Sequence, residues 1–296
     1  MALRLSLTGR PSLTDEDGRS IRLPRKAFVL AAYLLIESPR EPLSRDRAAR
    51  LLWEEADPAR RAGNLRQLLA RVKETQAAEG FELFVIGPDH VAVDADAMVS
   101  DVALVLGARA ETTDRRLFEL CRAYGGELLL GLDEGGETYT RWLWTRRSML
   151  RQQFVAVVAA NVESSIGVLD PEEVLFVARR LIEAEPDPEA AHRALMRVHA
   201  ARGEFESALR IHRRLVDLLR ETGRRPATET VALLADVNAR QRSRTEGDAS
   251  PRVETESTSP IPSLGRAMRL PRVSLNFVGL SGLAGEEREW ADALFD

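Results

Sequence analysis

The sequence predicts a mainly α-helical protein with a small β component. Residues 1–24 alternate apolar and polar side chains, the period expected of half-buried strands. Three stretches with apolar residues at helical spacing follow, and then a second short pair of strand-like segments. From about Ser100 to Arg240 the helical pattern is nearly continuous. We therefore expect a small mixed domain followed by a helical one.

Length and composition indicate a globular protein of about two domains. The chain has 296 residues, of which 44% are hydrophobic and 30% charged. No apolar run approaches the roughly 18–20 residues that cross a bilayer, and the first residues lack the apolar block of a secretory signal. We expect a cytoplasmic protein with no membrane partner.

Residues suited to catalysis or metal binding are scarce and scattered. Cys121 is the only cysteine and is expected in a core, and the four histidines do not cluster. His192 and His199 are seven positions apart, but packed or surface positions explain them better than a metal site. The sequence has neither a Gly-x-x-x-x-Gly-Lys phosphate loop nor a Gly-x-Ser-x-Gly nucleophile elbow. We predict no catalytic residues, no metal, no cofactor and no enzymatic activity.

The first domain carries signals for strands and three helices. Alternating leucines predict a strand at 3–7, and Pro24 precedes a helix over 26–37. Ser44 is a suitable N-cap for a second helix. Asp57 and Pro58 open a third, with the acid as cap and the proline at the first helical position.

The third helix has two contrasting faces. Leu65, Leu68, Leu69 and Val72 share its apolar face. Its opposite face and flanks carry polar and basic side chains: Arg60, Gly63, Asn64, Arg66, Gln67, Arg71 and Lys73. A hairpin is predicted next, with strands at 81–86 and 91–93 around a Gly87–Asp89 turn. Strands, three helices and a hairpin, in this order, are the layout of a winged helix-turn-helix.

The sequence resembles a family of bacterial activators. Short segments in the first domain carry the resemblance: 23–27 (LPRKA), 44–47 (SRDR), 51–53 (LLW), 64–73 (NLRQLLARVK) and 93–96 (VDAD). In this order they are similar to the antibiotic-regulatory-protein (SARP) type of transcriptional activator, whose N-terminal domain resembles the OmpR/PhoB effector domain.

The second half of the chain also fits this resemblance. Residues 201–209 (ARGEFESAL), with Pro226 beyond them, resemble a tetratricopeptide repeat, in which two antiparallel helices pack closely. Residues 101–240 are similar to the bacterial transcriptional activator domain of the same family. A tetratricopeptide-like helical repeat domain is therefore expected behind the winged helix.

Four segments are predicted. They are a winged-helix DNA-binding domain at 1–97, an activator domain at 98–241, a disordered linker at 242–269, and a partial domain or tail of unknown role at 270–296. The linker assignment rests on its Ser, Thr, Glu, Arg and Pro content. Within the tail, a strand is expected at 270–277 and a helix at 286–295.

The exposed face of the third helix has the chemistry of a DNA-reading surface. Arginine bonds guanine with two donors, and asparagine and glutamine do the same with adenine. Arg60, Asn64, Gln67 and Arg71 are therefore assigned to bases. Arg66 and Lys73 are assigned to phosphates, which position a protein without reading sequence. His90, at the tip of the hairpin, is the remaining DNA contact.

Charge gives mixed support for this assignment. The net charge is −4, but residues 58–73 hold five basic side chains and no acid. Asp89 and Glu74 lie close by in the sequence and oppose phosphate contact. A solvated helix face is the alternative for this helix, and packing between helices is the interpretation for Trp142 and Trp144.

We expect a sequence-specific transcriptional regulator, an activator by family resemblance. Its predicted partners are double-stranded DNA, RNA polymerase and a second copy of the chain as a homodimer, because one winged helix buries little surface on DNA. The helical repeats are expected to serve oligomerisation or polymerase contact. The alternative function is a protein-interaction adaptor built on the repeats, with weak or no DNA binding.

Overall fold

A computed structural model describes residues 3–94, 98–109, 111–185 and 187–248. The described residues form one compact unit. Their helices are α1 Arg25–Glu37, α2 Arg45–Leu52, α3 Pro58–Glu79, α4 Asp101–Gly107, α5 Asp114–Ala123, α6 Glu137–Asn161, α7 Pro171–Ala184, α8 Glu189–Ala201, α9 Phe205–Glu221 and α10 Thr228–Asp248. Their strands are β1 Leu3–Ser6, β2 Ser12–Thr14, β3 Ser20–Ile21, β4 Leu43–Ser44, β5 Phe84–Ile86, β6 His90–Val93 and β7 Met98–Ser100. The predicted fold, a winged helix followed by helical repeats, is confirmed.

Two small sheets flank the first three helices. The first has the order β3-β2-β1-β7, with β1 antiparallel to β2 and parallel to β7. The second has the order β4-β6-β5 and contains the predicted hairpin. The alternating leucines of β1 are buried, as the period of two indicates. Strand β7 was not predicted, since three residues carry too little periodicity to be recognised.

The helix-start signals act as expected. Ser44 caps α2 by accepting a bond from the Arg47 backbone N–H at 3.3 Å. Asp57 caps α3 by accepting from the Arg60 N–H at 2.9 Å, and Pro58 occupies the first turn. At its other end α3 stops at Gly80, whose φ of +70° is the left-handed conformation that glycine adopts readily.

Helix α6 is shorter than the continuous pattern suggests. The sequence predicts a helix to about Gly167, but α6 ends at Asn161. Two serines bond the last carbonyls, Ser164 that of Asn161 and Ser165 that of Val162, and so compete with the helical hydrogen bonds. Gly167, with φ of +90°, then turns the chain toward α7.

Helix α10 is longer than predicted, and the linker boundary at 242 is corrected accordingly. Residues 242–248 continue the helix, because side chains at this end of α10 bond to the α8–α9 turn and to the first turn of α9. Gln241 Nε2 donates to Glu206 at 2.8 Å, and Arg244 donates to the Gly203 carbonyl at 3.2 Å. The remaining linker, 249–269, and the tail at 270–296 with its expected strand and helix lie outside the described residues.

The isolated side chains of interest have different environments. Cys121 is fully buried, and burial raises the pKa of its thiol to about 12. His192 is also buried, which lowers its imidazole pKa. Trp142 packs on Tyr33 with ring centroids 5.3 Å apart. The same interpretation is wrong for Trp144, which is 73% exposed because it lies about 100° round the axis of α6 from buried Leu143, outside the buried stripe of that helix. No helix in the described part of the chain is long and apolar enough to span a membrane.

A buried carboxylate joins the two halves of the molecule. Asp101, at the start of α4, is 4% exposed and accepts bonds from Leu7 N at 2.8 Å and from both Thr8 N and Thr8 Oγ1 at 2.7 Å. Burial raises the pKa of Asp101, and the bonds from Thr8 and Leu7 oppose that effect. The Thr8 hydroxyl in turn accepts from Gly125 N at 2.7 Å. The Asp101 side chain thus links the residues after β1 to the start of the helical domain.

We predict that Asp101→Asn lowers the free energy of unfolding by on the order of 3 kcal/mol, because the amide of Asn brings donor hydrogens against a set of donors. Urea denaturation followed by circular dichroism measures this. Asp217→Asn, at an exposed carboxylate of α9, is the control and should change little. Equal effects of the two substitutions would contradict the role assigned to Asp101.

Candidate nucleic-acid interface

Helix α3 packs one face against the core and exposes the opposite face to solvent. Leu65, Leu68, Leu69 and Val72 are buried in the common core with α1 and α2. The spacing of three and four residues puts them in one row, so the positions between them face outward. The amphipathic prediction for this helix is confirmed by the burial pattern.

The predicted base-reading residues form a single row on the outer face. Arg60, Gln67 and Arg71 are exposed, and Asn64 is half-buried. Their positions differ by four, three and four residues, so they follow one another along the helix. Arg66 and Lys73, seven positions apart on the flank, are also exposed. The structure therefore brings these six residues together, in an arrangement open to a ligand.

Acidic side chains are absent from most of the outer row of α3. The first acid after Asp57 is Glu74, which is exposed near the end of the row. Arg61 is the one arginine of the segment omitted from the predicted site. It is half-buried and contributes to the lowered pKa of Asp46, which Arg50 chiefly causes, and of Glu54, which Thr138 chiefly causes. Arg61 thus interacts with acids of its own domain.

The wing turn lies beside the start of α2. The β4–β6 register pairs Ser44 with His90, and Arg45 N donates to the Asp89 carbonyl at 2.9 Å. The His90 ring lies over Gly87, where a Cβ would collide with it. His90 Nδ1 is 2.9 Å from Asp89 Oδ1, and this bond is the main cause of the lowered Asp89 pKa. His90 therefore adjoins α2, with the 86% exposed Asp89 carboxylate as its direct partner.

Two arginines at the start of α2 lie next to the wing turn and extend the candidate interface. They were not predicted as site residues. Arg47 is exposed, and Arg45 is half-buried. Arg45 Nε is buried and has no hydrogen-bond partner within the described residues. The N-cap serine three positions before Arg47 is the sequence signal that locates them, because it fixes where the helix and its first turn begin.

Buried Gln76 connects α3 to the wing. Its Nε2 donates to the Phe84 carbonyl at 3.2 Å, and its Oε1 accepts from Phe84 N at 2.8 Å and Leu83 N at 3.3 Å. One side chain thus satisfies both backbone groups of Phe84 in strand β5. A glutamine inside a polar stretch gave no sign of this role in the sequence.

Contacts with the helical domain fix the loop that precedes α3. Glu54 accepts from Thr138 N at 2.8 Å and Thr138 Oγ1 at 2.5 Å, at the uncapped first turn of α6. Gly136 is required beside it, since a Cβ there would meet the Glu54 side chain. One turn further along α6, Glu37 accepts from Trp142 Nε1 at 2.7 Å and pairs with Arg146 through both of its oxygens. These bonds set the orientation of the winged helix on the helical domain.

Among the described residues, no group of three or more His, Cys, Asp or Glu side chains is placed to hold a metal ion. His199 instead pairs with Glu204, with Nδ1 and Oε2 2.6 Å apart.

We predict that Gln76→Leu lowers the free energy of unfolding by about 2 kcal/mol, since it leaves the buried N–H and carbonyl of Phe84 without partners. Chemical denaturation provides the measurement. Gln152→Leu, at an exposed position of α6, is the matched control. A Gln76 variant as stable as this control would show that water replaces the glutamine.

Comparisons with known proteins agree with this architecture. Residues 93–238 match the bacterial transcriptional activator domain. The chain is also similar to the structure of Mycobacterium tuberculosis EmbR in complex with a low affinity phosphopeptide, with a TM-score of 0.55 and 18% identity over 83% of this chain and 69% of that chain. That likeness concerns the fold. No curated protein sequence shows a significant match. With a winged helix in front of this activator domain, the chain has the domain organisation of a SARP-like transcriptional regulator.

Proposed function

We propose that this regulator binds double-stranded DNA in a sequence-specific manner through α3 and activates transcription. The observation that carries the proposal is the outer row of α3, in which exposed arginine and glutamine side chains and a half-buried asparagine follow one another on one face. A helix about 10–12 Å wide fits the major groove, which is about 12 Å wide.

The residue types assign different roles along this row. Arg60 and Arg71 suit guanine, and Asn64 and Gln67 suit adenine, because their paired polar groups match the edges of these bases. Arg66 and Lys73 are placed on the flank, where phosphates pass on either side of an inserted helix. His90 on the wing is a further candidate contact, and Arg47 extends the cationic surface at the start of α2.

The helical domain is the proposed site of protein contacts. A single winged helix buries too little surface for tight binding, so a homodimer on repeated or inverted half-sites is proposed. Contact with RNA polymerase is the second proposed role of the repeats. The bonds of Glu54 and Glu37 with α6 would transmit the position of such partners to α3.

A protein-interaction adaptor is the alternative, and one observation favours it. Trp144 exposes 73% of its surface on α6, and exposed tryptophans of this kind occur at protein interfaces. A folded protein that selects no DNA motif would favour this adaptor over the DNA-binding regulator.

We predict that Arg60→Ala, Gln67→Ala and Arg71→Ala together reduce affinity for the selected duplex by at least about 100-fold, since each lost base contact contributes about 1–3 kcal/mol. Selection from random duplexes, followed by fluorescence anisotropy, measures this. Arg213→Ala, Arg214→Ala and Gln152→Ala remove the same residue types from exposed positions elsewhere and should leave affinity unchanged. Equal losses in both triple variants would reject α3 as the reading helix.

We predict a different result for Arg66→Ala combined with Lys73→Ala. Binding should weaken on all duplexes alike, and the slope of log affinity against log salt should become shallower by about 2, because two phosphate contacts are lost. Anisotropy titrations at several salt concentrations test this on the selected duplex and on a scrambled one. A changed base preference with an unchanged slope would assign these side chains to bases.

A further inference from the structure

A cavity lies between the winged helix and the helical domain. It measures about 140 Å³ and is lined by α1, by the end of α2 and by the 131–139 segment. The cavity is partly open to solvent, since Arg25, Glu134 and Gly135 of its lining are exposed. A cavity of roughly 150 Å³ with apolar walls takes up a molecule the size of benzene.

The walls combine an apolar surface with cationic groups. Val29, Leu51, Leu52 and Leu132 supply the apolar part. Lys26 lines the same space from the first turn of α1. Ligand sites have this character: they lie at domain boundaries and have mostly apolar walls with a few placed polar groups.

The ammonium group of Lys26, which belongs to the cavity wall, is held in place by two contacts. Its Nζ donates to the Leu52 carbonyl at 2.5 Å and lies 5.0 Å from the centre of the Trp53 ring. These contacts engage only part of an ammonium group that has three donors. Burial lowers the pKa of Lys26, and Glu134 partly offsets this effect. An incoming carboxylate would restore the interactions that the amine loses on leaving water.

Arg25 adds a second cation at the same opening. Its guanidinium bonds the Gly131 carbonyl and so ties α1 to the far wall of the cavity. Glu134 is the one acid among the lining residues, so the lining carries two cations against one anion. This balance favours an anionic ligand over a neutral or cationic one.

We propose that this cavity binds a small organic monocarboxylate with a compact apolar body, such as an aromatic acid. The carboxylate meets Lys26 and Arg25, and the apolar body fills the space between Val29, Leu51 and Leu132. Since the cavity has walls from both domains, an occupant contacts the winged helix and the 131–139 segment at once. The proposal concerns ligand binding and is independent of the DNA-binding proposal.

Isothermal titration calorimetry with benzoate as the probe tests the site on the full chain. Benzoate should bind measurably, benzamide at least about tenfold more weakly because it lacks the charge, and acetate more weakly because it lacks the apolar body. No heat of binding for benzoate at tens of millimolar, or equal binding of benzoate and benzamide, would overturn the proposal.

Variants locate the binding. Lys26→Met keeps the length of the side chain and should weaken benzoate at least about tenfold, and Val29→Phe should abolish binding by filling the cavity. Glu134→Gln, at an exposed position that tolerates change, should instead raise affinity a few-fold by removing the repulsive charge. Arg116→Met, an exposed cation on α5, is the control and should leave binding unchanged. If Lys26→Met or Val29→Phe fails to fold, the affinity of the Glu134→Gln variant for benzoate tests the site instead. Unchanged or weaker benzoate binding by Glu134→Gln would contradict the proposal.

Discussion

The Asp101 carboxylate is the interaction on which the two halves of this molecule depend. It lies at the start of α4, where the chain leaves the winged helix, and it accepts the backbone and hydroxyl donors of Leu7 and Thr8. Burying a carboxylate is costly unless donors surround it, and here the donors come from residues more than ninety positions away. The same Thr8 hydroxyl accepts from Gly125, and the 127–130 backbone continues the pairing. The Asp101 carboxylate thus joins two sequence-distant segments within a core that both halves share.

The contacts between the two halves fix the orientation of α3 relative to the helical domain. Glu54, in the loop before α3, and Glu37, at the end of α1, both bond to the first half of α6. Glu54 lies in the loop just before the cap of α3, so α3 and the helix that leads the repeats share a fixed junction. The cavity beside this junction adjoins the same 131–139 segment. Any ligand or partner that changes the position of that segment changes the geometry in which α3 is presented.

The sequence predicted what local chemistry determines. Caps at Ser44 and Asp57, the buried row of α3 and the hairpin turn all follow from patterns within a few residues, and the structure has each of them. It did not predict what depends on distant partners. Strand β7 exists because β1 lies beside it, Gln76 satisfies a strand eight residues away, and α10 extends because Arg244 and Gln241 meet the α8–α9 turn. The roles of the candidate DNA contacts remain predictions, since burial and exposure establish only that these side chains are accessible.

The long sequence separation between β1 and its partners has a consequence for synthesis on the ribosome. Its partners in β7, at Asp101 and at 127–130 are translated much later than the strand itself. At about 5–20 residues per second, the interval is on the order of ten seconds, during which β1 has only β2 beside it. An unpaired strand edge is a site for association between chains. The first sheet is therefore completed only once β7 has been translated, and a nascent chain that stalls near residue 97 exposes an open edge.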